Sequence, residues 1–234
     1  MSDGSYATDV TPRAVILVSG GLDSATVLAL AKERGYSCYT LSFDYGQRNH
    51  VELAAAAKLS QHSDVQEHRV IRFDMGVIGG SALTDRTIDV PEVPTEGIPI
   101  TYVPARNTIF LSFALGYAEV VDASAIFVGV NAVDYSGYPD CRRNTLNAQA
   151  ETLSLGMDYP LRIDTPLMYL TKAETWAMAQ DLGGARFVSI IQEHTHTCYL
   201  GQREMRHDWG YGCGTCPACE LRAKGYSEWQ AAIE

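Results

Sequence analysis

The sequence predicts an α/β protein: a parallel sheet with helices on both faces, carrying a small C-terminal zinc-binding subdomain. Three observations predict it. Apolar runs of strand length alternate with helical stretches through residues 1–185. The first run breaks into the turn Ser19-Gly20-Gly21-Leu22-Asp23-Ser24. Four of the six cysteines, Cys198, Cys213, Cys216 and Cys219, crowd into residues 186–234, read as a segment packed on the larger domain.

Residues 14–18 are uniformly apolar, as a strand buried on both faces should be. After the glycine turn a helix opens at Asp23-Ser24, and Gly35 marks its end. Residues 39–43 read as the second strand, 44–49 as a loop, 50–59 as an alanine-rich helix and 68–73 as the third strand. Residues 74–100 break the alternation with Pro91, Pro94 and Pro99, and a connection this long reads as a lid or a disordered loop. Residues 107–121 form an apolar helix, 125–130 a fourth buried strand, and 142–155 and 172–182 further helices. Ligand is expected at the carboxyl ends of the strands, where the 19–24 turn already lies.

That turn is suited to an anion. Two glycines let backbone N–H groups approach closely, and a helix start adds unpaired donors and positive dipole. The Ser and Asp side chains are placed to cap the helix or to reach a nucleotide and its metal. No Gly-Lys-Ser/Thr and no Gly-x-Gly-x-x-Gly occurs, so neither common nucleotide fingerprint is present. The string after a first strand resembles the PP-loop of the ATP pyrophosphatases, which split ATP between the α- and β-phosphates.

The 234 residues, 46% hydrophobic, suit one core with a small appendage. A net charge of −10 argues against a broad nucleic-acid or membrane surface. Residues 1–11 are polar without signal-peptide character, and no apolar stretch reaches membrane-spanning length, so a cytoplasmic enzyme is expected.

Cys213-Gly214-Thr215-Cys216-Pro217-Ala218-Cys219 with Cys198 offers four thiolates to one ion. Structural Zn²⁺ is the first reading; an iron–sulfur cluster or a redox pair competes with it. His194, His196 and His207 are read as surface or substrate-side residues, Cys38 and Cys141 as small buried or semi-buried ones. Asn107 suits a helix N-cap, and Arg106 beside it suits a carboxylate or phosphate clamp. Residues 129–142 concentrate carboxylates, tyrosines and arginines beyond the fourth strand, as a substrate pocket would. Thr171 and Glu174 have capping-box spacing. Lys172 between them either is solvated or faces developing negative charge.

In order along the chain, Ser19–Ser24, Phe43-Asp44-Tyr45-Gly46-Gln47-Arg48, Val103-Pro104-Ala105-Arg106-Asn107, Gly129-Val130-Asn131, residues 134–142, Thr171-Lys172-Ala173-Glu174 and the C-terminal cysteines resemble the 7-cyano-7-deazaguanine synthase family of the queuosine pathway. The stretch 200–212 makes the first cysteine gap longer than is usual for that family. The resemblance implies a Rossmann-like PP-loop fold (adenine nucleotide alpha hydrolase-like). It implies the substrates 7-carboxy-7-deazaguanine, ammonia and ATP, with Mg²⁺ and one structural Zn²⁺ per chain. A homodimer without stable nucleic-acid or membrane partners is expected. Another PP-loop adenylating enzyme, such as a tRNA-thiolating or ammonia-dependent ligase, and a zinc-dependent nucleic-acid-binding module are the competing readings. Residue roles follow by physical fit. Leu17, Val18, Ser19, Gly20, Gly21, Leu22, Asp23, Ser24, Ala25, Thr26, Val27 and Asp44 are expected at the nucleotide. Asp134 or Asp140 would accept from the purine-like edge, Tyr135 or Tyr138 would stack on the ring, and Arg106, Arg142 and Lys172 would steady the carboxylate and the adenylate. A nitrile keeps neither carboxylate oxygen, so two activations by ATP are expected.

Overall fold

Each early strand is followed by a helix that returns the chain over one face, so neighbouring strands pair in parallel. In the computed structural model, which describes residues 11–90, 97–131, 137–157 and 160–233, five strands form one sheet. They are β1 (Arg13–Leu17), β2 (Ser37–Asp44), β3 (Glu67–Arg72), β4 (Ala125–Phe127) and β5 (Arg162–Asp164), in the order β3-β2-β1-β4-β5, all parallel. Val15 of β1 pairs with Tyr39 on one side and Ile126 on the other.

Side chains alternate across the sheet and so divide the core in two. Ala14 and Ile16 pack under α1 (Leu22–Glu33), α2 (Val51–His62), α5 (Lys172–His194) and α6 (Pro217–Ile233). Val15 and Ile126 pack under α3 (Arg106–Val120) and α4 (Arg143–Met157). Trp176 of α5 and Trp229 of α6 stack with their rings 5.9 Å apart and 10° from parallel, so the C-terminal segment shares the first core. Among the described residues no helix is long and apolar enough to cross a membrane.

Several bounds differ from expectation, each for a physical reason. β4 stops at Phe127, because the Val128 N–H still donates to Asp164 O at 3.0 Å but Gly129 then passes beneath the 19–24 turn. Gly129 lies close against that turn: a Cβ there would come 3.1 Å from the Asp23 carbonyl carbon, a tight contact. α5 runs on to His194 through Gly184, whose φ of 62° joins two helical segments, so residue 185 lies inside a helical run. β5 was not anticipated: Arg162-Ile163-Asp164 has a single apolar residue. Of the 74–100 segment, residues 91–96 lie outside the described residues. Its earlier part packs down, with Ser81, Ala82 and Leu83 buried and Arg48 Nη2 donating to Asp85 O at 2.7 Å and Ile88 O at 2.5 Å. The long cysteine gap folds as the two-stranded hairpin β6 (Arg206–His207) and β7 (Gly210–Tyr211).

Candidate active site

The sheet order reverses between β1 and β4, and at such a switch point the strands' carboxyl ends part to leave a crevice. A cavity of about 360 Å³ opens there. The turn after β1 forms its floor. Gly20 has φ of +90°, and a Cβ on it would overlap Glu52 O and lie 2.9 Å from Ala56 N, so only glycine fits. Helix α1 starts at Leu22, with Gly21 in the cap position and no side-chain cap. Ser24 Oγ donates instead to Gly21 O at 3.1 Å, and Ser19 Oγ lies 3.3 Å from Ser24 Oγ. The first N–H groups of α1 are therefore left for an anion.

Asp23 does not cap either: both its oxygens accept from Lys172 Nζ, at 2.9 and 2.8 Å. A complete capping box of Thr171 and Glu174 starts α5 and thereby fixes Lys172 beside the turn. Across the cavity stands Arg106, whose Nη1 donates to Tyr45 Oη at 3.2 Å and whose guanidinium lies 5.7 Å from the Tyr45 and Tyr138 ring centres.

The cavity gathers Leu17, Val18, Ser19, Gly21, Leu22, Asp23 and Ser24 with Arg106, Tyr138 and Lys172 from the sequence expectation. It does not gather the other expected residues that are described. Gly20 supports the turn from behind, and Ala25, Thr26 and Val27 are buried in α1 against the sheet. Asp44 ends β2 outside the cavity lining, 3.8 Å from both Arg72 and His50. Arg142 is exposed away from the cavity. Asp140 is buried, and its Oδ2 accepts from the Asn107 N–H at 2.8 Å and from Asn107 Nδ2 at 3.2 Å. Asn107 is thus not the cap of α3; Asp140 supplies that acceptor from a distant loop, with Ala105 in the cap position at φ 56°. Asp134 and Tyr135 lie outside the described residues.

Lining residues that sequence reasoning missed are Tyr45, Glu52, Phe110, Cys141, Tyr199 and Arg222. Arg222 is fully buried, donating to Trp209 O at 3.0 Å, Ile191 O at 3.2 Å and Thr195 Oγ1 at 2.8 Å. Burial lowers its pKa to about 10, which leaves it charged at neutral pH. Burial is also the main force raising the Cys141 thiol to about 12, so it is no thiolate.

Cys198, Cys213, Cys216 and Cys219 bring their sulfurs within 4.8 Å of one another. The Cys213 and Cys219 sulfurs lie 3.8 Å apart, and none of the six cysteines is in a disulfide. A tetrahedron with Zn–S bonds of 2.3 Å has sulfurs about 3.8 Å apart, so the donor set fits such an ion. Backbone N–H groups of Cys216 and Thr215 point at Cys213 Sγ, at 3.2 and 3.4 Å, as suits a thiolate. His196, expected at the surface or the substrate, is buried beneath the turn, and its backbone N–H donates to Gly20 O at 2.8 Å. His207 stacks on Trp209 with ring centres 4.5 Å apart.

Comparison with known proteins gives one consistent result. A family model described as queuosine biosynthesis protein QueC matches residues 13–230. A 7-cyano-7-deazaguanine synthase of Saccharophagus degradans is 52% identical over 223 residues, covering 93% of this chain and 94% of that protein. One of Coxiella burnetii is 50% identical over 222 residues, covering 92% and 93%. Among solved structures, the NMN synthetase of Francisella tularensis superposes with a TM-score of 0.50 at 16% identity, over 96% of this chain and 87% of that one, a likeness of fold.

Proposed function

Because the chain belongs to the queuosine biosynthesis protein QueC family, we propose that it converts 7-carboxy-7-deazaguanine and ammonia to 7-cyano-7-deazaguanine at the expense of ATP. The observation that carries this reading is the uncapped start of α1, which opens onto a cavity that Arg106 faces from the other side. One end suits the phosphates and the other a small aromatic acid.

A carboxylate is a poor electrophile and must be activated. Its oxygen attacks the α-phosphorus of ATP, the bond to the β-phosphate breaks, and pyrophosphate leaves on the N–H groups of residues 21–24. Ammonia then adds to the acyl-adenylate, and AMP departs to leave the amide. The amide oxygen attacks a second ATP in the same way. Loss of that oxygen with AMP, and of the nitrogen-bound protons, yields the nitrile.

The chain's own groups supply the electrostatics. Lys172 faces the charge that develops between the α- and β-phosphates, and Arg106 holds the substrate carboxylate against it. Tyr138 stacks on the ring, a role that Tyr135 shares on sequence grounds. Asp140 is already engaged by Asn107, which favours Asp134 as acceptor for the purine-like edge. Asp23 would help to hold Mg²⁺ while remaining paired with Lys172, since that ion takes one or two carboxylates and otherwise phosphate oxygens and water. The four cysteines would hold Zn²⁺ as a structural ion, saturated by protein. The chain is proposed to act in the cytoplasm as a homodimer.

Mass analysis after incubation with 7-carboxy-7-deazaguanine, ammonium and ATP tests the reading. AMP and nitrile in a ratio of two to one are expected, with the primary amide accumulating when ATP is limiting. ATP that is not split to AMP in the presence of the acid would refute it.

A further inference from the structure

Among the described residues two carboxylates line the cavity, Asp23 and Glu52. Asp23 is taken by Lys172. Glu52 accepts no hydrogen bond and forms no ion pair among the described residues, and it is half-buried in the cavity wall. Its place is fixed by the backbone. It lies in the first turn of α2, whose carbonyl at Glu52 presses so closely on the phosphate turn that Gly20 has no room for a Cβ. The carboxylate and the turn thus meet the cavity from one wall.

An unpaired carboxylate beside a phosphate-binding turn is costly unless a cation visits it. Arg106 is the positive group that acts on it, but that guanidinium is engaged with Tyr45 and stands between the Tyr45 and Tyr138 rings. Burial pushes the Glu52 carboxyl up to about 7, against the pull of Arg106 and with a smaller push from Cys198. Tyr45, whose hydroxyl feels the Glu52 charge, and Phe110, its ring 5.3 Å from that of Tyr45, turn aromatic side chains to the same cavity. Mg²⁺, which keeps its water shell, suits such walls poorly, whereas ammonium hydrogen-bonds a carboxylate and tolerates a ring face.

We propose that Glu52 receives the nitrogen donor as ammonium and releases it as ammonia beside the activated carbonyl. This rests on the reaction proposed above. One N–H bond of ammonium breaks, and its proton passes to a Glu52 oxygen. The freed lone pair attacks the acyl carbon, and the C–O bond to AMP breaks with its electron pair on the phosphate. A second proton leaves the nitrogen as the amide forms, and both protons go to water at the cavity mouth. The sum is acyl-adenylate plus ammonium giving amide, AMP and two protons.

The test is Glu52→Gln with two nitrogen nucleophiles. Ammonium must lose a proton before attack, while hydroxylamine is uncharged at neutral pH. The KM for ammonium should rise about tenfold or more, with KM for ATP and for the acid within about twofold of wild type. Hydroxylamine trapping of the adenylate and pyrophosphate exchange without ammonium should match wild type. Equal losses with both nucleophiles, a raised KM for the acid, or an altered Mg²⁺ requirement would overturn the proposal. Should glutamine unfold the chain, Glu52→Asp makes the same comparison: ammonium use must fall more than hydroxylamine use, or the proposal fails. A wild-type enzyme that shows no pyrophosphate exchange with 7-carboxy-7-deazaguanine would refute the reaction itself and this assignment with it, whereas failure confined to the residue-52 comparison refutes only the assignment.

Discussion

Lys172 shows how one side chain is readied for charge. A capping box holds its backbone, α6 crowds its stem so closely that Gly225 has no room for a Cβ, and Asp23 grips its ammonium through both oxygens. A cation so fixed needs little reorganisation when pyrophosphate charge develops. Lys172→Ala should lower kcat about 10²- to 10³-fold while the KM for ATP moves about threefold or less, read by pyrophosphate release. A near-neutral effect would return the residue to the surface-lysine reading. Gly20 makes a complementary demand on backbone. At φ +90°, with the Glu52 carbonyl against it, Gly20→Ala must distort the turn. It should cost about 1–3 kcal/mol of stability and most of the ATP affinity, measured by denaturant unfolding and calorimetric titration.

Helix α3 depends on a residue outside itself. Ala105 in the cap position has no side-chain acceptor, and the donor at Asn107 is satisfied by buried Asp140 from a single 3-10 turn, Pro139–Cys141. Arg106 opens that helix, so the cap also aims the guanidinium. Asp140→Ala should cost about 1–3 kcal/mol, a fall of roughly 2–4 °C in Tm for each kcal/mol, and raise KM for the acid more than for ATP. Asp140→Asn keeps one acceptor oxygen and should recover much of both. Thermal unfolding with paired steady-state assays checks this, and an unchanged KM for the acid would separate the cap from the aim of Arg106. Elements with a strong local signal were legible from sequence; distant closures were not. β1 and its glycine turn are a continuous apolar run and a local backbone requirement. Asp140 reaches α3 from more than thirty residues away, where no local pattern favours a cap over a substrate contact. The helix expected over 172–182 runs on past Gly183 and Gly184, because packing against α1 and α6 carries α5 through.

Across the whole molecule the phosphate turn and the cysteine cluster belong to one mechanical unit, a relation invisible in sequence because residues 20 and 196 are far apart along the chain and meet only in the fold. The 195–198 segment lies under the turn: the His196 N–H bonds Gly20 O, and a Cβ on Gly21 would come 3.0 Å from Thr197 Cγ2. Cys198 follows directly, and α6, which carries Cys219, supplies Pro217, Ala218, Leu221 and Arg222 to the cavity wall. Arg222 then ties α6 to Thr195, Thr197 and Ile191. An ion that holds the four sulfurs therefore holds the floor and one wall of the nucleotide site. Binding free energies couple reciprocally, so ATP and metal should each strengthen the other. Purified protein should contain about one zinc per chain, and Cys216→Ser should lower it with a loss of several kcal/mol of stability. In chelator-treated protein that stays folded at low temperature, the Kd for ATP should rise about 5- to 20-fold, and saturating ATP should slow metal loss to a chromophoric chelator. Equal ATP affinity with and without metal would show that the 195–198 segment beneath the turn keeps its place unaided, and that the cysteines brace only the C-terminal helix.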